Sequence, residues 1–328
     1  MNLFFQKDLA RNWTAFVNFE LLNSFSTFRQ WGAFNLEEAW VKFRSCKKFS
    51  LKLGLQIPKF NNLNEIKNKT PLLPYITRPL VYETSFNEFL HIDEFLPERC
   101  FVQAYGFYPL GKVKLDYAFY IGNSPNVNID SNHGQTGVDT SLTVLLGSRI
   151  GIRVGEFKAG ISVTHDNTNL MKGAEQIYGG SSSRFEEVPR YRLGGDFSVN
   201  FWDFSLQGEV ISVIYDDDAA ELNYNKKFSY CTVGYQFTET MFSYISFWKT
   251  VEYFHFLINK EKAPALFTDI QQNKMRIIVP TFGVAYNLSD RITLKGQIAH
   301  SKISSTNPHF HYKGEKFFYF SLAASIIF

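Results

Sequence analysis

The chain has 328 residues, of which 45% are hydrophobic and 20% are charged, and its formal net charge is +3. No run approaches the roughly 18 consecutive apolar residues of a transmembrane helix, so a helical membrane protein is excluded. The mild basic balance and the dispersed basic residues also argue against nucleic-acid binding.

Aromatic residues are the unusual part of the composition. They make up 17% of the chain, with 34 Phe and 17 Tyr, and many stand at the ends of alternating segments. Outer-membrane β-barrels place such residues in girdles at both membrane interfaces. The three cysteines, Cys46, Cys100 and Cys231, are scattered and lack metal-ligand spacing, so we expect no disulfide.

Period-two alternation in segments of about ten residues dominates the sequence and indicates strands with one apolar and one polar face. Phe49–Ile57, Val113–Phe119 and Ile292–Ile298 alternate cleanly. The pattern predicts an all-β fold, a transmembrane antiparallel up-and-down β-barrel. Its fourteen complete predicted strands cover 12–23, 34–45, 49–60, 98–109, 112–123, 141–154, 156–166, 190–201, 204–214, 227–237, 240–252, 275–287, 291–303 and 316–328.

The connections alternate between short turns and long polar loops. An outer-membrane barrel has short periplasmic turns and longer extracellular loops, so the short-turn end is expected to face the periplasm. The long loops are expected at 24–33, 61–97, 124–140, 167–189, 215–226, 254–273 and 305–315.

The first residues read as the end of a strand, Asn2–Phe5, and a periplasmic turn, Lys7–Asn12. A strand that enters this turn needs an ascending partner before it. We therefore expect a signal peptide and about one hairpin upstream, which would give sixteen strands in the complete protein. The alternative is that 2–11 is a periplasmic arm of a fourteen-stranded barrel.

The longest connection is 61–97, and loops of this length are usually functional or disordered. Within one barrel domain, 1–328, we expect it to fold inward as a constriction loop. The alternative is an ordinary extracellular loop. Its candidate constriction residues are Lys67, Lys69, Arg78 and His91.

Several short runs resemble the phosphate-selective porin O and P family, in which an acidic-Ala-aromatic strand leads to a Gly-containing strand and an inward loop with an Arg. The runs are Phe34–Phe43, Leu53–Phe60, Arg78–Val81, Gly194–Phe197 and Gln207–Glu209. The resemblance implies a homotrimeric, sixteen-stranded channel whose lumen favours anions. The chain departs from a dedicated phosphate channel because Lys67, Lys69 and Arg78 are scattered and do not form a dense lysine cluster.

The polar phase of the strands holds more basic than acidic residues, and Arg and Lys rings favour anions in a pore. The pattern therefore predicts a weak preference for anions, phosphate among them. The alternative is that these charges pair across strands and only keep the wall polar. The candidate lumen-wall basic residues are Lys42, Arg44, Lys52, Arg149, Arg153, Arg190, Arg192 and Lys295. The same polar phase also contains Lys114 and Lys158.

The last predicted strand ends in an unbroken apolar phase that closes on a terminal Phe. It resembles the C-terminal signature of outer-membrane barrels that the barrel-assembly machinery recognises. The alternative is a core strand of a soluble protein. The candidate assembly-signal residues are Phe320, Leu322, Ala324, Ile326 and Phe328.

Together these features predict an integral protein of the bacterial outer membrane, surrounded by lipid and lipopolysaccharide. Its expected function is that of a porin for passive diffusion of small hydrophilic or anionic solutes. We expect no enzyme activity, cofactor or metal, because no nucleophile motif is present, His309 and His311 read as loop residues, and Asp216–Asp218 reads as solvated loop charge. The alternative function is a structural or adhesive barrel whose lumen is occluded by 61–97 and 167–189.

Overall fold

The structure is a computed structural model that describes residues 2–22, 33–68, 73–83, 95–97, 99–123, 144–168, 188–216, 225–258, 269–306 and 314–326. Fifteen strands in these ranges form an antiparallel sheet in which each strand pairs with its neighbours in sequence. The all-β, up-and-down fold predicted from the alternation is confirmed.

The strands are β1 (Asn2–Ala10), β2 (Trp13–Leu22), β3 (Ala33–Cys46), β4 (Phe49–Gln56), β5 (Arg99–Leu110), β6 (Val113–Asn123), β7 (Val144–Val154), β8 (Phe157–Thr168), β9 (Val188–Phe201), β10 (Phe204–Tyr215), β11 (Asn225–Gln236), β12 (Met241–Ile258), β13 (Asp269–Ser289), β14 (Ile292–Ser305) and β15 (Lys316–Ile326). The connection between β4 and β5 contains a short helix, α1 (Asn61–Asn64), and a 3-10 turn at Leu80–Tyr82.

Strand β1 is longer than the sequence pattern predicts. It continues through Lys7 and Asp8 to Ala10, and its residues pair along β2. The polar side chains are accommodated near the turn, where the Thr14 hydroxyl donates to the Asp8 carboxylate at 2.8 Å. The reading of 2–11 as a periplasmic arm is therefore wrong, because this segment is a paired strand.

The hairpin of β12 and β13 is also longer than predicted. Backbone pairing continues from Tyr253 opposite Lys274 to Ile258 opposite Asp269, so both ends of the expected loop 254–273 are strand, and 259–268 lie outside the described residues. The polar run Gln271–Asn273 suggested a loop in the sequence. Cross-strand hydrogen bonding outweighs that local preference, since strand formation depends on the partner strand as much as on composition.

One face of the sheet exposes large apolar side chains in alternation. On β15 the exposed fractions are 76% for Phe318, 65% for Phe320 and 73% for Leu322. Soluble monomers rarely expose contiguous apolar patches larger than a few hundred Å². Such a face is suited to hydrocarbon, and we call it the outer face and the opposite one the inner face. No helix in the described ranges is long and apolar enough to span a membrane.

Aromatic side chains gather on the strand ends beside the short turns. Trp13 and Phe43 have ring centroids 5.0 Å apart, and Phe204 and Tyr235 have centroids 4.7 Å apart. Trp202, in the turn between β9 and β10, is 87% exposed. This arrangement matches an aromatic girdle at one membrane interface.

The chain divides into two compact units. Unit 1 comprises Met1–Asn68 and Val81–Asp196, and unit 2 comprises Lys69–Leu80 and Phe197–Phe328. The connection between β4 and β5 therefore contributes to both units.

The inner face of unit 2 is not polar along its whole length, which corrects the expectation of a uniformly polar inward phase. Toward the long connections, apolar side chains on this face are buried, with Trp248 fully inaccessible. The hydrophobic effect favours this burial, so this zone is packed and does not line water. Its other buried members are Ile211, Val213, Phe228, Ile277 and Ile303.

Candidate functional site

Strand β4 ends four residues earlier than predicted, and the chain then turns onto the inner face of unit 1. Pro58 has no N–H to donate to a strand ladder, which ends the strand. The Gln56 side chain supplies a hydrogen bond at this end of the ladder, since its Nε2 donates to the Phe101 carbonyl at 2.6 Å. Phe60 is fully buried in the segment that follows. We call residues 57–68 the first inner segment.

Two wall side chains hold this segment by its backbone. The Lys59 N–H donates to Gln103 Oε1 on β5 at 2.8 Å, and the Asn61 N–H donates to Ser162 Oγ on β8 at 3.0 Å. Ser162 lies three strands beyond Gln103 in the sheet order. The first inner segment therefore crosses the inner face and does not extend away from β4 as an outer loop.

A glycine makes this crossing possible on β9. A Cβ at Gly194 would collide with the Asn61 side chain and would lie 3.0 Å from the Phe60 ring. Only a residue without a side chain lets the segment approach the strand so closely. The Gly194 run that the sequence analysis singled out thus has a packing role.

A small charged cluster lies beside the first inner segment. Glu38 is 9% exposed, and its carboxylate accepts a hydrogen bond from Trp40 Nε1 at 3.0 Å. Lys52 and Lys67 both act electrostatically on Glu38. Lys52 also lies over the Trp40 ring, 4.9 Å from its centroid. The structure therefore brings together one predicted wall lysine and one predicted constriction lysine.

Two predicted wall arginines share one carboxylate. Arg190 donates to Asp166 through Nε at 2.9 Å and also through Nη2, and Arg192 Nη1 donates to Asp166 at 3.2 Å. Arg192 Nη1 also reaches Thr164 Oγ1 at 3.2 Å. The ionic side chains of the triad are fully inaccessible. Both guanidiniums therefore meet at this carboxylate on the inner face.

The other predicted wall residues of unit 1 differ in exposure. Arg149 donates to Asp196 at 2.8 Å and is largely buried, whereas Arg153 and Asp116 are 3.5 Å apart and both well exposed. Lys42 is half-buried and lies 5.8 Å from the Trp40 centroid. Arg44 is exposed near the short turn.

A second inner segment, residues 73–80, lies on the inner face of unit 2. The buried Tyr75 hydroxyl donates to Thr232 Oγ1 at 2.9 Å and accepts a hydrogen bond from Gln207 Nε2. Burial raises the pKa of Tyr75 to about 12, an effect that the two hydrogen bonds only partly offset. Tyr75 therefore remains a neutral donor at any physiological pH.

Gln297 on β14 is the main anchor of this second segment. Its Oε1 accepts from the N–H groups of Ile76 at 2.9 Å and Thr77 at 3.1 Å, and from the Tyr244 hydroxyl at 3.0 Å. Lys295, two residues earlier, donates from Nζ to the Leu73 carbonyl at 2.6 Å. A side-chain amide suits this position because it can satisfy exposed backbone groups of the segment.

A cavity of about 320 Å³ adjoins the second segment within unit 2. Hydroxyl and amide side chains, the Lys295 ammonium and a few apolar side chains line it together. The lining residues include Ser205, Gln207, Thr232, Asn287, Thr293 and Lys295. The cavity lies toward the short turns and is large enough for water and small polar solutes.

Two of the four predicted constriction residues are described. Lys67 and Arg78 are buried, at 2% and 3% exposure, while Lys69 and His91 lie outside the described residues. Of the assembly-signal residues, Phe320, Leu322, Ala324 and Ile326 are exposed on the outer face, and Phe328 lies outside the described residues.

Sequence reasoning missed Tyr75, Gln297 and Asp166. Gln297 stands in the polar phase of an alternating strand, and Asp166 stands two residues after Thr164 in the same phase. Their polarity was visible, but their partners lie far away in the sequence. Within the described ranges, no group of three or more His, Cys, Asp or Glu could hold a metal, and the three cysteines are free.

No protein-family model matches the chain, and no curated protein matches it either. Solved structures do match. An anion-selective porin from Comamonas acidovorans has a TM-score of 0.55 at 12% identity, with 96% of this chain and 82% of that chain covered. The outer-membrane channel DcaP of Acinetobacter baumannii has a TM-score of 0.54 at 11% identity, with coverages of 99% and 84%.

In-vitro folded OmpT, an outer-membrane protein of Vibrio cholerae, has a TM-score of 0.54 at 8% identity, covering 99% of this chain and 88% of that chain. At such identities the likeness concerns the fold. The chain therefore has the fold of bacterial outer-membrane barrels, and its apolar outer face is the surface that such a location requires.

Proposed function

We propose that this protein is an outer-membrane porin through which small hydrophilic solutes diffuse passively, with a weak preference for anions, including phosphate. The observation that carries the proposal is the polar, mainly basic inner face of unit 1 beneath the first inner segment. A wall of this kind offers water-like hydrogen bonding to a solute while an apolar outer face contacts lipid.

The anion preference is supported by how the charges are paired. Arg190 and Arg192 share Asp166, and Lys52 and Lys67 share Glu38. Basic side chains thus gather at two places on the inner face of unit 1, and basic side chains along a pore favour anions. One of the fold neighbours is itself named an anion-selective porin. Membership of the phosphate-selective porin O and P family is part of this proposal.

The two inner segments are the proposed constriction. Both are held by backbone groups that donate to wall side chains, namely Gln103 and Ser162 in unit 1 and Gln297 in unit 2. A segment anchored in this way narrows the path without a covalent link. The proposal also includes a homotrimer, and recognition of the β15 end by the barrel-assembly machinery.

Planar-bilayer recording tests the function directly. The purified, folded protein should give discrete conductance steps, and a salt gradient should give a reversal potential on the anion-selective side. Folded protein that inserts but conducts no ions would contradict the proposal.

A pair of charge-neutralised variants tests whether basic residues of the inner wall set the ion selectivity. Lys42→Gln with Lys52→Gln should shift the reversal potential toward cations, because two wall charges are lost. The matched control, Lys47→Gln with Lys112→Gln, removes the same charge from exposed turns. Equal shifts in both double variants would mean that the inner wall does not set selectivity.

The rival function, a barrel with an occluded lumen, is favoured by the buried apolar zone of unit 2 around Trp248. Liposome swelling separates the two. A porin admits small sugars and the liposomes swell, whereas an occluded barrel gives no swelling although it is folded and inserted.

A further inference from the structure

The outer face carries basic side chains on one set of strands. Along β11–β15, the outward phase contains Lys and Arg on the half near the long connections. On β4–β10, no described residue of the outward phase is Asp, Glu, Lys or Arg. The basic residues of β11–β15, which we call the basic row, are Lys227, Lys249, Lys274, Arg276, Lys302 and Lys316.

The strand register places these side chains side by side. Lys249 is opposite Ile278, which is opposite Lys302, which is in turn opposite Lys316. Arg276 follows one outward position nearer the long connections, opposite Val251. Neighbouring strands are about 4.8 Å apart, so these cations fall within roughly 15 Å of one another across β12–β15.

Nothing in the described chain neutralises most of the basic row. Lys227, Lys249, Arg276, Lys302 and Lys316 form no ion pair with a described carboxylate, and the outward phase of β11–β15 contains no acidic residue there. Like charges directly opposite each other, as in Lys302 and Lys316, destabilise a sheet. An anion between them would remove this repulsion.

The outward residues next to the basic row, on the side of the short turns, are apolar or aromatic. The next outward pairs toward the short turns are Phe247 with Pro280 and His300 with Phe318, whose rings stack at 4.2 Å. A Lys or Arg on the lipid face costs about 2–4 kcal/mol at the midplane but roughly 0–1 near an interface. The basic row therefore belongs at headgroup depth, on the side of the long connections.

We propose that the basic row binds the phosphate groups of a phosphorylated outer-leaflet lipid, whose acyl chains lie along Phe318 and Phe320. This rests on the outer-membrane location and does not depend on the pore. Lys and Arg are the side chains that bind phosphate, Arg with two parallel hydrogen bonds. A second copy of the chain is a poorer occupant, because the described outer faces offer no carboxylates to pair with the row.

Native mass spectrometry of the folded protein in detergent micelles tests the proposal, with diphosphorylated lipid A as the probe. The Lys249→Gln, Arg276→Gln, Lys302→Gln variant should bind it about a hundredfold more weakly, since each basic residue near a charged lipid surface contributes about a fivefold effect and the three factors multiply. The matched control, Lys47→Gln, Lys112→Gln, Arg291→Gln, removes three charges at the short turns and should bind like the wild type.

Two further readouts keep the test decisive. Wild-type binding should weaken as salt is raised and should be lost when lipid A is replaced by phosphatidylcholine, and these need no variant to fold. Equal binding by the triple variant and its control would overturn the proposal. Loss of oligomers in the triple variant with lipid binding unchanged would also overturn the proposal, because the basic row would then be a subunit interface. Bilayer conductance of the same variants reports separately on the pore.

Discussion

The two units each hold a part of the same connection through neutral side chains on their inner faces, but the charges around the two segments differ. Unit 1 presents buried charges, with Arg190 and Arg192 on Asp166 and with lysines around Glu38. Unit 2 holds its segment mainly with neutral amides and hydroxyls, Gln297, Gln207 and Thr232 among them.

This difference has an energetic meaning. Buried charges are costly to desolvate and become strongly destabilising when a partner is removed. Neutral hydrogen bonds contribute less each, about 0.5–1.5 kcal/mol, but tolerate a change more easily. A single substitution of a buried charge in unit 1 should therefore lower the free energy of unfolding more than a single substitution of a neutral anchor in unit 2.

The largest expected effect is that of Asp166→Ala, which leaves two inaccessible guanidiniums without their shared carboxylate. We expect the free energy of unfolding to fall by about 3–5 kcal/mol. Urea titration of the protein folded into lipid vesicles measures it. The control Asp116→Ala breaks the exposed pair with Arg153 and should cost less than about 1 kcal/mol. Equal losses of unfolding free energy in Asp166→Ala and Asp116→Ala would contradict the contrast between buried and exposed charges in unit 1.

The next effect is that of Gln297→Ala, which leaves the Ile76 and Thr77 N–H groups without their acceptor. Because a buried unsatisfied donor costs about 1–3 kcal/mol, we expect a loss of about 3 kcal/mol and a larger single-channel conductance as the segment is released. Gln236→Ala, at the end of β11 beside a short turn, is the control. Unchanged conductance with lowered stability would argue against the second inner segment as a constriction.

The Tyr75 hydroxyl should make unit 2 sensitive to alkaline pH. Its pKa is raised from 10.0 to about 12, so its stabilising contribution is complete below pH 10 and is lost as pH rises through 12. Two pKa units correspond to about 3 kcal/mol over the whole window, and less is lost at pH 11.5 because that pH is still below the folded-state pKa of about 12. The difference in unfolding free energy between wild type and Tyr75→Phe, measured at pH 8 and pH 11.5, should shrink at the higher pH. A constant difference would contradict this assignment.

The smallest effect is expected at Glu65, which lies 3.5 Å from Lys59 and is 40% exposed. Glu65→Gln should change the unfolding free energy by less than about 1 kcal/mol, because exposed ion pairs contribute little. The same urea titration measures it. A loss comparable with that of Asp166→Ala would show that the first inner segment depends on charge and not on its backbone donors.

The fold was largely predictable because strand alternation is a local property. On β15, for instance, the apolar outward residues Phe318, Phe320 and Leu322 alternate with inward residues such as Tyr319 and Ser321, and the short turns indicate the order of the strands. The continuation of β1 to Ala10 and the ends of β12 and β13 were not predictable, since their pairing depends on a partner strand and overrides polar residues such as Lys7 and Gln272.

The inner segments were only partly predictable. The length of 61–97 indicated a special loop, whereas the burial of Lys67 and Arg78 was not visible in the sequence. The anchors were hidden because nothing in the sequence near Gln297 refers to Ile76, which is 221 residues away. The apolar zone around Trp248 was missed for a related reason, since alternation records polarity and not what covers a side chain.

That distance along the chain bears on the order of assembly. Most strand contacts join neighbouring segments and can form hairpin by hairpin, but the Ile76–Gln297 hydrogen bond must wait until β14 has been built. Before that stage the Ile76 and Thr77 N–H groups do not have the Gln297 acceptor. Its docking is therefore a late event, and protection of the Ile76 amide from hydrogen exchange would mark the moment at which the sheet is nearly complete.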